Sequence, residues 1–167
     1  LLLVDGMSTD RTRDVIAGYQ KNYPWIKVLD NPKRIAPCAM NAGIKASSGE
    51  IIIRLDAHVL YPSNYFSVLV SKLQELPDAE NVGAICKTLP VNDTIEAQSI
   101  AAVLSSSFGM GNSYFRVGAS EVMEVDTVPF GCFHRAIFDK VGLYDEELVR
   151  NQDDELNARI INSGGKI

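Results

Sequence analysis

Two side chains of a kind that binds cations, Asp56 and His58, follow directly after the apolar run Ile51-Ile52-Ile53. The run predicts a buried strand, and ligands of open α/β sheets collect at the carboxyl ends of the strands. In extended backbone, residues i and i+2 point to the same side. The spacing therefore predicts that both side chains bind one cation, whose coordination shell the oxygens of a diphosphate would complete.

The imidazole of His58 bears on the identity of the cation. Mg²⁺ prefers shells made of oxygen, whereas imidazole suits transition metals. A divalent metal is therefore expected, with Mn²⁺ favoured over Mg²⁺. The alternative is that Asp56 only forms a turn at the strand end and that His58 is incidental.

A second polar turn follows the first apolar run of the chain. Asp5 comes directly after Leu1 to Val4 and precedes Gly6, which permits a tight turn. A carboxylate there accepts hydrogen bonds from ligand N–H or hydroxyl groups, although an ordinary strand-to-helix turn has the same composition. The pair Lys33-Arg34 is a weaker candidate for binding a phosphate or a base, with exposed loop residues as the alternative.

Three adjacent acids, Asp153 to Glu155, begin a predicted helix at 153–162. Acids in a first helical turn are favourable through the helix dipole alone. At 100° per residue, however, Asp153 shares a face with the apolar Leu156 and Ile160, while Glu155 points away. Asp153 is thus the acid expected to face a cleft. Neighbouring carboxylates would raise its pKa and the dipole would lower it, and the sequence leaves that balance open.

Strand and helix patterns alternate through the first part of the chain. Strands are predicted at 1–4, 25–29 and 50–55, separated by a helix that Ser8 or Thr9 caps and by a helix at 36–46 with a face of small residues. This order predicts an α/β fold with a mostly parallel sheet. Beyond it, the predictions are helices at 65–76, 94–106, 135–141 and 153–162, strands at 82–89 and within 122–133, and a mobile loop at 108–120.

Size and composition fit a single domain over residues 1–167. The sequence is 46% hydrophobic and 22% charged, as in ordinary soluble globular proteins. A net charge of −5 argues against nucleic acid as a partner. The chain starts without Met inside an apparent strand and ends where another strand could begin, so a fragment of a longer protein is expected. Three separated cysteines without a CxxC pair suit a reducing compartment.

Taken in order, these motifs resemble those of the inverting family-2 glycosyltransferases, which have the GT-A fold. The stretch 5–12 is similar to their nucleotide-binding turn, 41–44 to the helix after the second strand, and 56–58 to the DXD motif. The stretches 129–131 and 142–146 are similar to the acceptor-side block, and 151–156 to the ED motif. In character the set is nearest to bacterial exopolysaccharide glucosyltransferases of the succinoglycan type.

The resemblance implies roles for the candidate residues. Asp5 would contact the nucleotide base, and Asp56 the ribose or the metal, with Arg34 as a further donor-binding residue. His58 would bind the metal on the diphosphate, and Asp153 would be the catalytic base. Two departures from the family pattern are His58 in place of the second Asp of DXD, and Gln152 in place of the Glu of the ED pair.

The implied reaction is transfer of a hexose, with inversion, from a nucleotide-diphosphate sugar, expected to be a UDP-sugar, to an acceptor hydroxyl. The acceptor would be a glycan or a lipid-linked glycan of exopolysaccharide or cell-surface glycan synthesis. The implied location is the cytoplasmic face of the cell membrane, with peripheral association through regions outside the fragment.

Two other functions fit the same architecture. A sugar-nucleotide nucleotidyltransferase should carry a Gly-rich loop where residues 5–12 lie, and that loop is not there. A non-catalytic domain that binds a nucleotide sugar or a partner protein would have little need of Asp56 and Asp153. Both functions remain open on the sequence.

Overall fold

A computed structural model, which describes residues 1–167, has five strands and eight helices. The strands are β1 (Leu2–Asp5), β2 (Lys27–Asp30), β3 (Ile51–Ile53), β4 (Asn81–Val82) and β5 (Cys132–His134). The helices are α1 (Thr12–Asn22), α2 (Ala36–Ala46), α3 (Tyr65–Glu75), α4 (Ile95–Leu104), α5 (Ser107–Met110), α6 (Tyr114–Val117), α7 (Ala136–Val141) and α8 (Gln152–Asn162). None of these helices combines the length and apolar character that crossing a bilayer requires.

The strands form two hydrogen-bonded groups. β1 and β2 are parallel, with Leu2 opposite Lys27 and Asp5 opposite Asp30, and α1 connects them. β5 lies between β3 and β4 and is antiparallel to both, with Ile52 opposite Phe133. The α/β class and the parallel first unit agree with prediction. The partner of β3 lies some eighty residues further along the chain, where local periodicity carries no information about pairing.

Helix α2 packs closely on β1, as its small residues predict. A Cβ on Gly43 would lie 3.5 Å from Val4 Cγ2, an ordinary van der Waals contact. Asn41, which is buried, donates its Nδ2–H to the Tyr144 carbonyl (2.8 Å) and accepts the Tyr144 N–H (2.9 Å). These paired bonds hold the segment that leads into α8 against α2.

The main core fixes α8 from one side. Its apolar cluster combines side chains of α2, β5, α7 and α8. Leu156 and Ile160 are fully buried in it, and each contributes about 1.5–3 kcal/mol by leaving water. The face predicted to point inward on α8 is therefore the face that does so.

A chain of buried amides fixes the same helix from another side. Asn157 on α8 accepts a hydrogen bond from Asn81 Nδ2 (2.9 Å) and donates one to Thr127 Oγ1 (2.9 Å). The Thr127 hydroxyl donates to Asp154 Oδ1 (2.8 Å). These bonds orient α8 against β4, and of the two amides only Asn81 Oδ1 is left without a hydrogen-bond partner.

Helix α1 differs from its prediction in two respects. Its predicted apolar face of Thr12, Val15, Ile16 and Tyr19 is largely exposed, with 53% of Val15 and 57% of Tyr19 accessible. Neither Ser8 nor Thr9 caps it: the helix starts at Thr12, whose N–H donates to Asp10 Oδ1 (2.9 Å). Periodicity tells which residues share a face, but not whether another element covers that face.

Strand predictions in the second part of the chain were too long, and one loop prediction was wrong. Of residues 82–89 only Val82 belongs to a strand, and within 122–133 the strand is the beginning of β5. The stretch 108–120 holds most of α5 and all of α6, each a single helical turn, with Gly111 and Gly118 at positive φ directly after them. The glycines therefore end helical turns there.

We expect Gly131→Ala to destabilise the protein by about 1–3 kcal/mol through overpacking. A Cβ at this position, directly before β5, would lie 2.2 Å from Asn81 Oδ1 and 2.4 Å from the Phe133 ring, and both residues are buried. Urea unfolding measures the difference. The control is Gly18→Ala inside α1, where a Cβ meets nothing within 4 Å. It should stabilise by up to about 1 kcal/mol, and equal effects of the two variants would contradict the packing argument.

Candidate active site

Arg54 joins the two acids that the sequence singled out. It follows β3 directly and donates from Nε to Asp56 Oδ1 (3.0 Å) and from Nη2 to Asp56 Oδ2 (3.2 Å). Its Nη1 donates to Asp153 Oδ1 at the start of α8. One guanidinium thus brings the predicted metal ligand and the predicted base into a single cluster.

The ion cluster around Arg54 is largely shielded from water. Only 12% of the Arg54 side chain is exposed, and its guanidinium carbon lies 5.6 Å from the centre of the Phe130 ring. A buried guanidinium requires compensating charge, because desolvation of an unpaired ion costs several kcal/mol. Asp56 and Asp153 together supply that compensating charge. Their hydrogen bonds to Arg54 hold both carboxylates in place.

The loop after Asp56 is a turn and does not continue the strand. The Val59 N–H donates to the Asp56 carbonyl (3.3 Å), and the Asp56 N–H donates to the Tyr61 hydroxyl (2.8 Å). His58 lies exposed in this turn. The argument that Asp56 and His58 share a face because the strand continues is therefore wrong, since β3 ends at Ile53. Their role as metal ligands stays a prediction.

The donor groups at this point suit a cation that the protein holds only in part. The chain brings together no group of three or more His, Cys, Asp or Glu side chains. The candidate ligands are one carboxylate, Asp56, and one imidazole, His58. A cation held by these two side chains would have to take its remaining ligands from phosphate oxygens and water.

Asp153 has the surroundings expected of an inward-facing acid. It contacts Arg54, whereas Asp154 bonds to Thr127 and Glu155 pairs with Arg159 one turn further along α8. The predicted orientation of the three acids is confirmed. Burial raises the pKa of Asp153 above its usual range, although Arg54 acts in the opposite direction. Burial thus has the largest influence on this pKa, and it depends on tertiary packing and not on the neighbouring residues in the sequence.

Asp5 is buried and already bonded at the end of β1. Its carboxylate accepts from the Ser8 hydroxyl, the Ser8 N–H (3.0 Å) and Arg13 Nε (2.7 Å), and Arg13 also pairs with Asp30 across the two strands. These bonds, with that from the Ser8 hydroxyl foremost, lower the pKa of Asp5 to about 2. Asp5 therefore shapes the turn itself, and a nucleotide would have to use its remaining lone pairs.

The other basic candidates lie next to this turn. Arg34 is exposed, has a positive φ of 58° and passes beside Gly6, with its Cα 3.9 Å from the position of a Cβ there. Lys33 pairs with Glu146 (2.7 Å), so this cation is already neutralised. Of the two, Arg34 is the one outside an ion pair, and its contact with a nucleotide stays a prediction.

The predicted residues therefore form two groups. Asp56 and Asp153 are joined through Arg54, and Arg34 lies beside the turn that Asp5 holds, but no hydrogen bond or ion pair links one group to the other. A cavity of about 640 Å³ between α3, β4 and residues 114–125 is lined by none of these candidates.

Sequence reasoning assigned no role to the two arginines that organise these groups. Arg54 stands two residues before Asp56 at the end of an apolar run, and a cation there is a signal because buried arginines are almost always paired. Arg13 offered no comparable signal, since it lies on the first turn of a helix among other polar residues.

The family and the fold follow from comparison with known proteins. Residues 1–143 match the model of glycosyl transferase family 2, and the chain belongs to that family. In fold it is similar to the mannosyltransferase PcManGT from Pyrobaculum calidifontis, a structure in complex with GDP-Man and Mn2+. The TM-score is 0.70 at 18% identity, over 99% of this chain and 43% of that one.

Relatives that align with the whole chain include two at about 30% identity. One, 30% identical, is the succinoglycan biosynthesis protein ExoA of Rhizobium meliloti, of which 50% is covered. The other, 29% identical, is the dolichyl N-acetyl-alpha-D-glucosaminyl phosphate 3-beta-D-2,3-diacetamido-2,3-dideoxy-beta-D-glucuronosyltransferase of Methanococcus voltae, of which 53% is covered. The chain thus spans about half the length of these relatives.

The bonds of Asp5 predict a specific loss of stability in acid. Because its folded pKa of about 2 lies below the unfolded value near 3.9, ionised Asp5 stabilises the fold fully above about pH 4. That contribution is lost as the pH falls from about 4 to about 2. Urea unfolding of wild type and Asp5→Asn should therefore differ at pH 7 and converge towards pH 2.

An exposed acid in the helix that follows the Asp5 turn supplies the control for this experiment. Asp14→Asn, in the first turn of α1, should change stability little at either pH. A difference between wild type and Asp5→Asn that stays constant from pH 7 to pH 2 would contradict the assignment.

Proposed function

We propose that residues 1–167 are a fragment of the catalytic domain of a glycosyltransferase. It would transfer a hexose from a nucleotide-diphosphate sugar to an acceptor hydroxyl, with inversion. The observation that carries the proposal is the buried Arg54 cluster, which holds a strand-end acid, Asp56, beside a helix-start acid, Asp153. Membership of family 2 supports the class of reaction.

Asp153 would be the general base. The acceptor oxygen attacks the anomeric carbon, the bond from that carbon to the diphosphate oxygen breaks, and the hydroxyl proton passes to the Asp153 carboxylate. Attack from the face opposite the leaving group gives inversion. The raised pKa of Asp153 makes it a better proton acceptor than an exposed aspartate, while Arg54 keeps the carboxylate ionised.

The donor would lie between the two groups of residues. Asp5 and Arg34 would contact the nucleotide, and Asp56 would lie at the diphosphate. Asp56 and His58 would hold a divalent cation, which, when bound, offsets the negative charge on the departing diphosphate. We propose Mn²⁺ over Mg²⁺ because of the imidazole, and the presence of Mn2+ in the complex of PcManGT supports a divalent metal.

The donor base and the acceptor are proposed from different considerations. We propose a UDP-sugar as donor, to be tested against the GDP-sugar that PcManGT holds. The names of the relatives support a polysaccharide or a lipid-linked glycan as acceptor. We propose peripheral association with the cytoplasmic face of the membrane, and the dolichyl-linked substrate in the name of the Methanococcus voltae relative supports a reaction at a membrane.

We expect Asp153→Asn in the full-length protein to lower kcat about 100- to 10,000-fold, because the amide cannot accept the proton. Binding of the donor should remain. A radiolabelled panel of UDP- and GDP-sugars with a glycan acceptor measures transfer. The control is Asp154→Asn, the exposed neighbour that bonds to Thr127. Unchanged transfer by Asp153→Asn would remove it as the base, and no turnover of any donor by wild type would favour a binding domain.

The metal proposal has its own test. His58→Ala should weaken Mn²⁺-dependent binding of UDP about tenfold, or about 1.4 kcal/mol, and leave metal-free binding unchanged. Calorimetry with UDP, with and without Mn²⁺, measures both. The second of the two histidines, His134 on β5, gives the matched control His134→Ala. Equal affinity of wild type for UDP with and without Mn²⁺ would contradict the proposed metal site.

A further inference from the structure

We propose that Arg54 is a positioning residue of the transfer reaction. Its guanidinium would set the orientation of the Asp153 carboxylate relative to Asp56, so that one oxygen of the base is fixed and the other faces the acceptor. This inference rests on the proposed function of Asp153. It concerns a residue that reacts with nothing itself and acts through the two acids it binds.

The hydrogen bonds of the two carboxylates differ in a way that suits different tasks. Both oxygens of Asp56 accept from Arg54, at 3.0 Å and 3.2 Å, so its plane is fixed. Asp153 accepts from Arg54 through Oδ1 alone, and its Oδ2 receives no hydrogen bond from the chain. An oxygen with its lone pairs unused, on a carboxylate held by its other oxygen, is what proton transfer from an acceptor hydroxyl requires.

The guanidinium that does this is itself held rigidly. The Arg54 N–H donates to the Gly131 carbonyl (3.1 Å), which extends the pairing of β3 with β5 by one residue. The side chain lies against the Phe130 ring and is mostly buried. A planar fork with three donating nitrogens engages two carboxylates at fixed angles, whereas a lysine ammonium acts as a point charge on a flexible stem.

A purely structural role for Arg54 would be to hold α8 near β3, but α8 has other anchors. Leu156 and Ile160 are fully buried in the core, and Asn157 belongs to the buried amide chain. Arg159, which pairs with Glu155, also donates to the carbonyls of residues 141 and 143. Loss of Arg54 would therefore release the Asp153 side chain while the helix stays in place.

The test uses the full-length protein and separates kcat from KM. Arg54→Gln should lower kcat about 100-fold, the size expected when a catalytic group is displaced by about 1 Å, without raising the KM for the acceptor. Arg54→Lys keeps the charge and should fold as wild type does, yet its kcat should also fall. Arg54→Gly should regain transfer when guanidinium is added well below denaturing concentrations, and sodium chloride at the same concentration should not restore it.

Arg159→Gln is the matched control, because it removes a partly buried guanidinium of α8 that lies outside the site. It should lower the unfolding midpoint without lowering the kcat of the folded enzyme. Full kcat in Arg54→Lys, a rise in KM alone, or a loss in Arg54→Gln no larger than in Arg159→Gln would each overturn the proposal. Because wild type is assayed alongside, failure of the variants to behave as expected is distinct from absence of transfer in wild type.

Discussion

The buried positive charge of Arg54 constrains this site more than any other single feature. A guanidinium with little access to water has to be compensated by carboxylates, and those available are Asp56, two residues along, and Asp153, at the far end of the chain. The end of β3 and the start of α8 must therefore meet. This electrostatic requirement and the apolar core act together, since the same helix face that buries Leu156 carries Asp153.

The rest of the architecture sets where α8 lies. The apolar cluster and the buried amides of Asn81 and Asn157 hold the helix to β4 and β5. On another side, Asn41 of α2 binds both backbone groups of Tyr144, and Glu146 accepts from Lys33 and Asn41. These contacts join the parallel unit at the start of the chain to the antiparallel strands and α8. They thereby fix the position of the Asp5 turn relative to the helix that carries Asp153.

The two ends of the site are built on different principles. At Asp5 both carboxylate oxygens already accept hydrogen bonds from Ser8 and Arg13, so the turn has its shape before any ligand arrives. At Asp153 one oxygen is left without a protein donor. A carboxylate that shapes a loop is held through both oxygens, whereas one that takes a proton needs an oxygen without a protein donor. The carboxylates of Asp5 and Asp153 are chemically identical, and their different hydrogen bonds therefore indicate different functions.

Local patterns in the sequence determined the α/β class, the parallel βαβ start, helix α2 and the inward side of α8, because each depends on periodicity within about ten residues. The order of the motifs was enough to indicate the family. Only the tertiary structure decided that β3 pairs with β5, that the face of α1 is exposed, that His58 lies in a turn, and that Arg54 joins Asp56 to Asp153. Each of these depends on which distant segments pack together and on which side chains that packing buries. Local periodicity determines neither the long-range contacts nor the burial.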